Sequence, residues 1–100
     1  MTIEQLTEEI RRRASEGPTL GHTVRIDLDD AGTIYWDGTV VPAEVTNTER
    51  EAETTLRMTS DALVRIMAGE LDPTMAYMMG KLKVEGSLGV AMKISGLLGD

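Results

Sequence analysis

Apolar residues recur every three or four positions near the beginning of the chain, which is the spacing of one face of a helix. They are Ile3, Leu6, Ile10 and Ala14. Thr2 and Gln5 have the spacing of a capping box, in which each side chain bonds the backbone amide of the other residue. Gly17-Pro18 is a helix stop signal. The sequence therefore predicts an N-terminal helix, and we expect the arginines at 11–13 to be solvated near its end.

Strict alternation of apolar and polar residues then predicts two strands, at residues 23–29 and 33–37. The turn-forming residues 30–32 lie between them, so the two strands read as a hairpin. Ile34 and Trp36 fall on the same face of the second strand. We expect both to point inward, together with the apolar residues of the first strand.

Two further strands are predicted in the middle of the chain. Asp37-Gly38 is another turn signal, and residues 39–41 then predict a third strand that Pro42 ends or confines to a sheet edge. Residues 44–53 are polar and predict a loop, in which Val45 is the one candidate for a short extended piece. Residues 54–59 are again typical of a strand, with apolar side chains on one face.

Two short helices are expected next, each with its own start signal. Ser60 is the predicted N-cap of the first helix and Gly69 is placed to close it. Asp72 is the predicted N-cap of the second, followed by Pro73 at the first helical position, where the missing amide hydrogen costs nothing. Their apolar stripes are Leu63, Ile66 and Met67 in the first helix, and Met75, Met78 and Met79 in the second.

The last fifth of the chain is the most apolar part. Leu82 and Val84 lie on one face of a predicted strand. From residue 88 to residue 98 the only strongly polar side chain is Lys93, so a helix here would be apolar around nearly its whole circumference. Eleven residues are too few to cross a bilayer. The pattern leaves three alternatives: a buried helix, a helix facing an apolar ligand cavity, or a helix facing a partner protein.

Composition narrows the class of protein. One hundred residues with 41% hydrophobic content predict a single domain, 1–100. The net charge of −7 argues against a nucleic-acid partner and disfavours strong attraction to anionic lipid surfaces. With no cysteine, no apolar N-terminal run and no peroxisomal tripeptide, we expect a cytoplasmic protein. Seven methionines suit either an irregular core or a variable hydrophobic ligand.

No motif for chemistry stands out. The single histidine, His22, has no nucleophile elbow to serve, and the chain has neither a dinucleotide fingerprint nor a P-loop. Asp27, Asp29 and Asp30 are close in sequence, but strand alternation separates the last two, and an exposed strand end explains them better than a metal site. We therefore predict no catalytic residue, no metal and no cofactor.

The block Gly80-Lys81-Leu82-Lys83-Val84-Glu85-Gly86-Ser87-Leu88-Gly89-Val90-Ala91-Met92-Lys93 resembles the sterol carrier protein family, also called non-specific lipid-transfer proteins. The similarity is nearly continuous over 52–98 and points to a bacterial-type, stand-alone member. The resemblance implies an α+β fold with a five-stranded, mainly antiparallel sheet covered on one face by helices. It also implies non-catalytic binding of a fatty acid, fatty acyl-CoA, phospholipid or sterol-like lipid in an internal apolar tunnel.

Carried over by position, the resemblance implies a set of ligand-binding residues. They are Ile34, Trp36, Met67, Met75, Met78, Met79, Leu82, Val84, Leu88, Ala91, Met92, Leu97 and Leu98. The expected partner is a lipid or other hydrophobic small molecule, with at most transient membrane contact. The alternative function is that of an accessory protein whose apolar C-terminal helix forms a homodimer or partner interface.

Overall fold

The protein is described by a computed structural model, which covers residues 1–99. Four helices and five strands follow one another along the chain. They are α1 (Ile3–Glu16), β1 (Thr23–Leu28), β2 (Gly32–Asp37), β3 (Glu44–Thr46), β4 (Thr54–Met58), α2 (Ser60–Met67), α3 (Pro73–Met78), β5 (Lys83–Gly86) and α4 (Leu88–Leu98).

The five strands form one sheet in the order β3-β2-β1-β4-β5. Three of the four strand pairs are antiparallel, whereas β1 and β4 run parallel at the centre of the sheet. The predicted α+β class and the mainly antiparallel sheet are confirmed, and the sheet is mixed rather than purely antiparallel. The parallel pair requires the chain to cross over from β3, at one edge, to β4, beyond β1.

The strand register sorts side chains onto two faces of the sheet. Val24 lies opposite Trp36, and Ile26 lies opposite Ile34 on one side and Leu56 on the other. These side chains are buried with residues from all four helices in a single hydrophobic core, so the helices cover this inner face. The predicted inward orientation of Ile34 and Trp36 is confirmed.

The crossover from β3 to β4 passes over the outer face of the sheet. The Arg50 guanidinium carbon lies 5.2 Å from the centre of the Tyr35 ring, and Arg25 Nη1 donates a hydrogen bond to Arg50 O at 3.5 Å. Arg25 also donates from Nε to Asp27 Oδ1 at 2.7 Å. The outer face is therefore polar and charged, in contrast to the apolar inner face.

The predicted third strand at 39–41 is wrong. Asp37 Oδ1 accepts hydrogen bonds from the backbone amide of Thr39 at 2.9 Å and from its hydroxyl, which fixes a turn where a strand was expected. The third strand forms later, at Glu44–Thr46, where Val45 pairs with Trp36. The sequence predicted only a loop with a short extended piece at Val45, because Val45 is the one apolar residue of the three.

Helix starts follow the predicted capping chemistry, with one shift. The Thr2 capping box is present, and Asp72 caps α3 with Pro73 in its first turn. The N-cap of α2 is Thr59 rather than Ser60, because the Thr59 backbone is extended and its Oγ1 accepts from the Ala62 amide at 3.1 Å. The Ser60 hydroxyl instead donates to Asp30 Oδ2 at 2.6 Å, which ties α2 to the β1–β2 turn.

The arginines at 11–13 are not all solvated, contrary to expectation. Arg13 Nη1 donates to Leu98 O at 2.5 Å and Nη2 donates to Met67 O at 3.2 Å, so this one guanidinium caps the ends of both α4 and α2. Arg11 Nη2 donates to Val45 O at 2.6 Å. Arg12 bonds only glutamates of α1 itself. The triplet therefore fastens α1 to three other elements.

Candidate functional site

The thirteen predicted ligand-binding residues divide into three groups by exposure. The buried group is Ile34, Trp36, Met67, Leu82, Ala91 and Leu98. The half-buried group is Val84, Met92 and Leu97. These nine belong to one apolar core or pack against it. The exposed group is Met75, Met78, Met79 and Leu88, and it lies outside that core.

The core group brings together side chains of the sheet and side chains of the C-terminal part of the chain. Ile34 and Trp36 come from the inner face of β2, and Val84 joins this face through its pairing with Leu56. Ala91 and Leu98 come from the buried side of α4, which packs on β4 and β5. Two facing apolar walls, one from the sheet and one from α4, are thus built from residues that are far apart in sequence.

Helix α4 buries one side only, although its sequence is apolar around nearly its whole circumference. The buried side is Ala91, Ile94, Ser95 and Leu98. Gly89, Lys93 and Gly96 occupy exposed positions, and the two glycines place no apolar side chain in water. The only large apolar side chain of α4 that is more than a third exposed is Leu88, at 46%.

Two polar atoms inside the core have no hydrogen-bond partner within residues 1–99. They are Trp36 Nε1, a donor, and Ser95 Oγ, which can donate and accept. Both side chains are at least 98% buried. An unpaired polar atom in an apolar interior costs free energy. A polar group of a ligand would therefore gain the most binding free energy by forming a hydrogen bond with one of these two atoms. Ser95 was missed from sequence, although it lies four residues after Ala91 and three before Leu98 on one helix face.

Helix α3 holds its methionines away from the core. Ala76 is its only buried residue, and the Ala76 carbonyl accepts from the amides of Lys81 at 2.9 Å and Leu82 at 3.1 Å. The predicted methionine face is therefore formed, but Met75, Met78 and Met79 face outward. If they contact a ligand, it must lie at the surface or α3 must move.

Two of the surface concavities lie on other parts of the molecule. One of about 370 Å³ is on the polar outer face of the sheet, lined by residues such as Arg25, Asp27 and Arg57. The other, of about 330 Å³, lies between α2 and the chain after α3, and includes Arg65, Lys81 and Lys83. Neither is lined by any of the thirteen predicted residues. The internal tunnel stays a prediction.

No arrangement in the described residues stands out for chemistry. His22 Nδ1 lies 2.7 Å from Glu53 Oε2, and both side chains are more than a third exposed. Within residues 1–99, no group of three or more histidine or carboxylate side chains is placed to hold a metal ion. None of the helices in that range has the length and apolar character needed to cross a bilayer.

Comparison with known proteins gives a consistent result. Residues 3–99 match the family described as the SCP-2 sterol transfer family. Hydroxysteroid dehydrogenase-like protein 2 of Homo sapiens is 36% identical over 75 residues, which are 70% of this chain and 17% of that protein. Sterol carrier protein 2 of Bos taurus is 37% identical over 60 residues, which are 60% of this chain and 10% of that protein. The chain thus matches less than a fifth of the length of these relatives.

A similar solved structure is the solution structure of sterol carrier protein 2 from Aedes aegypti in complex with the C16 fatty acid palmitate. The TM-score is 0.77, and the match covers 98% of this chain and 96% of that chain. The sequences are 18% identical over this match, so the likeness shows the fold.

Proposed function

Because the chain belongs to the SCP-2 sterol transfer family, we propose that it binds a hydrophobic ligand and transfers it without changing it chemically. The ligand would lie between the inner face of the sheet and α4. The observation that carries this proposal is the single apolar core that gathers nine of the thirteen predicted residues from β2, β5, α4 and the segments between them. The proposed function is that of a carrier and not of an enzyme.

Apolar burial would supply most of the binding free energy, at about 25 cal/mol for each Å² of apolar surface removed from water. The Trp36 indole N–H and the Ser95 hydroxyl add a polar preference. A ligand oxygen that bonds either atom would remove a desolvation cost of roughly 1–3 kcal/mol. This favours an acid, ester or hydroxyl-bearing lipid over a plain hydrocarbon.

The ligand would enter the core by passing α3. This helix contributes one buried residue to the core, so moving it costs less apolar contact than moving α1, α2 or α4. Gly69 and Gly80 flank it with φ angles of 76°, a conformation that glycine adopts without a steric penalty. Outward displacement of α3 would open the wall formed by Leu82 and Val84.

A fatty acid is the first ligand to test, since the similar Aedes aegypti protein was solved with palmitate. Fatty acyl-CoA, phospholipid and sterol-like lipids follow. The relatives named hydroxysteroid dehydrogenase-like protein 2 are much longer than the matched region. We therefore also propose that the protein delivers its ligand to an enzyme partner. A cytoplasmic location is proposed as well.

The experiment uses Trp36, the only tryptophan, as the reporter. Titration with palmitate should change its fluorescence, and native mass spectrometry of the isolated protein should detect a bound lipid. Ser95→Ala should weaken palmitate binding by roughly fivefold or more if its hydroxyl bonds the carboxylate. Ser15→Ala, on α1 at the surface, is the matched control and should leave binding unchanged. Absence of both a bound lipid and a fluorescence change would overturn the proposal.

The alternative is an accessory protein that uses α4 as a dimer or partner interface, and the exposed Leu88 side chain favours it. It predicts a dimer whose population rises with protein concentration and falls in Leu88→Asp, with no lipid bound. Sedimentation velocity of the two proteins separates this outcome from the carrier function.

A further inference from the structure

Strand β5 forms one edge of the sheet. Within residues 1–99 it pairs with β4 alone. Backbone groups of alternate residues in an antiparallel pair point to opposite sides, so β5 also presents N–H and C=O groups away from β4. The opposite edge, β3, is partly covered, because α1 packs against it and the Val45 carbonyl accepts from Arg11 Nη2 at 2.6 Å. The β5 edge is therefore the more accessible of the two for a further strand.

The charged side chains of β5 lie on the outer face of the sheet. The register places Val84 opposite the buried Leu56, so Lys83 and Glu85, one residue to either side, point the other way. Lys83 lies opposite Arg57, a like charge, and forms no ion pair within residues 1–99. Glu85 pairs with Arg57 Nε through Oε1 at 3.4 Å, which leaves Oε2 for another cation.

Two copies of β5 are complementary around a two-fold axis. If the axis passes through Val84, perpendicular to the sheet, Lys83 of each copy lies opposite Glu85 of the other. Directly opposite side chains in an antiparallel pair have Cβ atoms about 4.5–5.5 Å apart, which is close enough for two ion pairs. An axis at Lys83 or at Glu85 would instead oppose like charges. The charge pattern therefore favours one register.

Exposed apolar side chains flank β5 at both ends. Within residues 1–99, five of the eight large apolar side chains that are more than a third exposed precede or follow this strand, and they are Met75, Tyr77, Met78, Met79 and Leu88. The Ala76 carbonyl accepts from the amides of Lys81 and Leu82, which holds α3 beside the beginning of β5. In the two-fold pairing, the chain before β5 of one copy approaches the chain after β5 of the other. Helix α3 is thus brought toward Leu88 of the second copy.

The negative charge of the chain lies mainly outside this region. Residues 72–100 contain three lysines and three acidic side chains, so the net charge of −7 is carried by residues 1–71. The charged outer-face side chains around β5 sum to −1, and they are Asp27, Glu51, Glu53, Glu85, Arg25, Arg57 and Lys83. More distant charges are screened over about 8–10 Å in physiological salt. Repulsion between two copies is therefore small at this edge.

We infer that β5 pairs with β5 of a second copy of the chain and joins the two sheets into one of ten strands. The outer faces are linked by Lys83 and Glu85, while α3 of each copy packs near Leu88 of the other. Each copy contributes only a four-residue strand, a six-residue helix and Leu88, so the dimer is weak and reversible. This surface is centred on β5 and differs from the α4 interface of the accessory-protein alternative.

Sedimentation velocity at increasing protein concentration measures the dimer. The unaltered protein should associate reversibly. Lys83→Glu and Glu85→Lys should each weaken association roughly tenfold, because each places like charges opposite one another at two positions. An equal mixture of these two variants should restore the association of the unaltered protein, since a mixed pair has opposite charges at both positions.

Matched controls test the location of the contact. Lys93→Glu makes the same charge change at an exposed position of α4 and should leave the dimer unaltered. Leu88→Asp should weaken the dimer, whereas Val41→Asp, at an 84% exposed side chain in the β2–β3 turn, should not. Circular dichroism checks that each variant is folded. The mixture of Lys83→Glu and Glu85→Lys shows in addition that both variants keep a β5 able to pair.

Three outcomes would overturn the inference. The first is a protein that stays monomeric at the highest concentration at which it is soluble. The second is a dimer that Leu88→Asp or Lys93→Glu weakens but Lys83→Glu and Glu85→Lys do not, because the contact would then lie on α4. The third is a mixture of Lys83→Glu and Glu85→Lys that associates no better than either variant alone, because the two charges would then not face each other.

The inference and the proposed function fail separately. Lys83→Glu should bind palmitate as the unaltered protein does, because Lys83 lies on the outer face of the sheet, away from the apolar core. A protein that binds palmitate but does not dimerise contradicts the β5 pairing alone. A protein that dimerises through Lys83 and Glu85 but binds no lipid contradicts the carrier function alone.

Discussion

Helices α2 and α3 are consecutive and short, and each carries an apolar stripe at helical spacing, yet they have opposite surroundings. Helix α2 buries Ala62, Leu63, Ile66 and Met67 in the core. Helix α3 buries Ala76 alone and leaves its methionines in water. An apolar stripe therefore establishes that a helix has an apolar face, but not whether the protein's own core covers that face.

This difference in burial between α2 and α3 does not arise from how the two helices begin. Thr59 Oγ1 accepts from the Ala62 amide at 3.1 Å, and Asp72 Oδ1 accepts from the Thr74 amide at 3.3 Å. It arises from what surrounds each helix. Arg13 of α1 bonds the Met67 carbonyl at the end of α2. Helix α3 is flanked by two glycines with positive φ. The comparison separates a helix that stabilises the fold from one that is available for contacts.

The largest expected effect contrasts one apolar side chain from each helix. Leu63→Ala should lower the free energy of unfolding by roughly 2–5 kcal/mol, because it leaves a cavity in the core. Met78→Ala should change it by less than about 0.5 kcal/mol, since this side chain already contacts water. Urea denaturation of both variants measures the difference. Similar losses for the two would mean that Met78 is covered in solution.

A second contrast concerns the hydrogen bonds of Arg13, which hold the end of α2. Arg13→Met should lower the free energy of unfolding by roughly 2–3 kcal/mol, because the carbonyls of Met67 and Leu98 lose a charged donor. Arg12→Met, at the neighbouring arginine on the solvent side of α1, should lower the free energy of unfolding much less, because the ion pairs of Arg12 lie in water. Thermal unfolding of the pair tests this. Equal effects would show that the arginines at 11–13 act only through surface ion pairs.

The helix caps give a smaller effect. Thr59→Ala should lower the global free energy of unfolding by about 1 kcal/mol. Asp72→Ala should have less effect on global unfolding and should instead speed hydrogen exchange in α3, because α3 can open locally while the core stays folded. If Asp72→Ala destabilised the whole protein as much as Thr59→Ala, α3 would have to be part of the same cooperative unit as α2.

The smallest effect is a dependence on pH. Hydrogen bonds from Arg12, and next from Arg13, hold the pKa of Glu9 below its ordinary value. A carboxylate whose pKa is lower in the folded state stabilises the fold at neutral pH, and this contribution is lost as pH falls below about 4.5. Glu9→Gln should thus be less stable than the unaltered protein at pH 7, and the gap should narrow in acid. Denaturation between about pH 3 and pH 7 checks this, with Glu4→Gln as the control.

Much of the fold could be predicted because local chemistry decides it. Alternation placed Val24, Ile26, Ile34 and Trp36 on one face, and this is the face that the helices cover. Thr2 and Asp72 cap helices because their side chains reach amides two or three residues away. The third strand was misplaced because the hydrogen bonds from Thr39 to Asp37 outweigh the β propensity of residues 39–41.

The candidate site could be predicted only in part, because it depends on contacts between distant residues. The resemblance named Ala91 and Leu98 as ligand-binding residues, and the structure places Ser95 with them on the buried side of α4. The role of Arg13 depends on carbonyls that are 54 and 85 residues away in the chain. The outward orientation of Met75, Met78 and Met79 follows from how α3 is anchored at Ala76, and periodicity does not carry that information.

The parallel pairing of β1 with β4 also affects the order in which the sheet can form. β1 pairs with β2 through a short turn, but its other edge is completed only when residues 54–58 arrive. Until then the N-terminal part of the chain has an unpaired strand edge. Three side chains of this strand, Val24, Ile26 and Leu28, are buried only in the complete fold. Exposed edges of this kind promote aggregation of incomplete chains. During synthesis, the interval between the emergence of β1 and β4 is therefore when the chain is most exposed to aggregation.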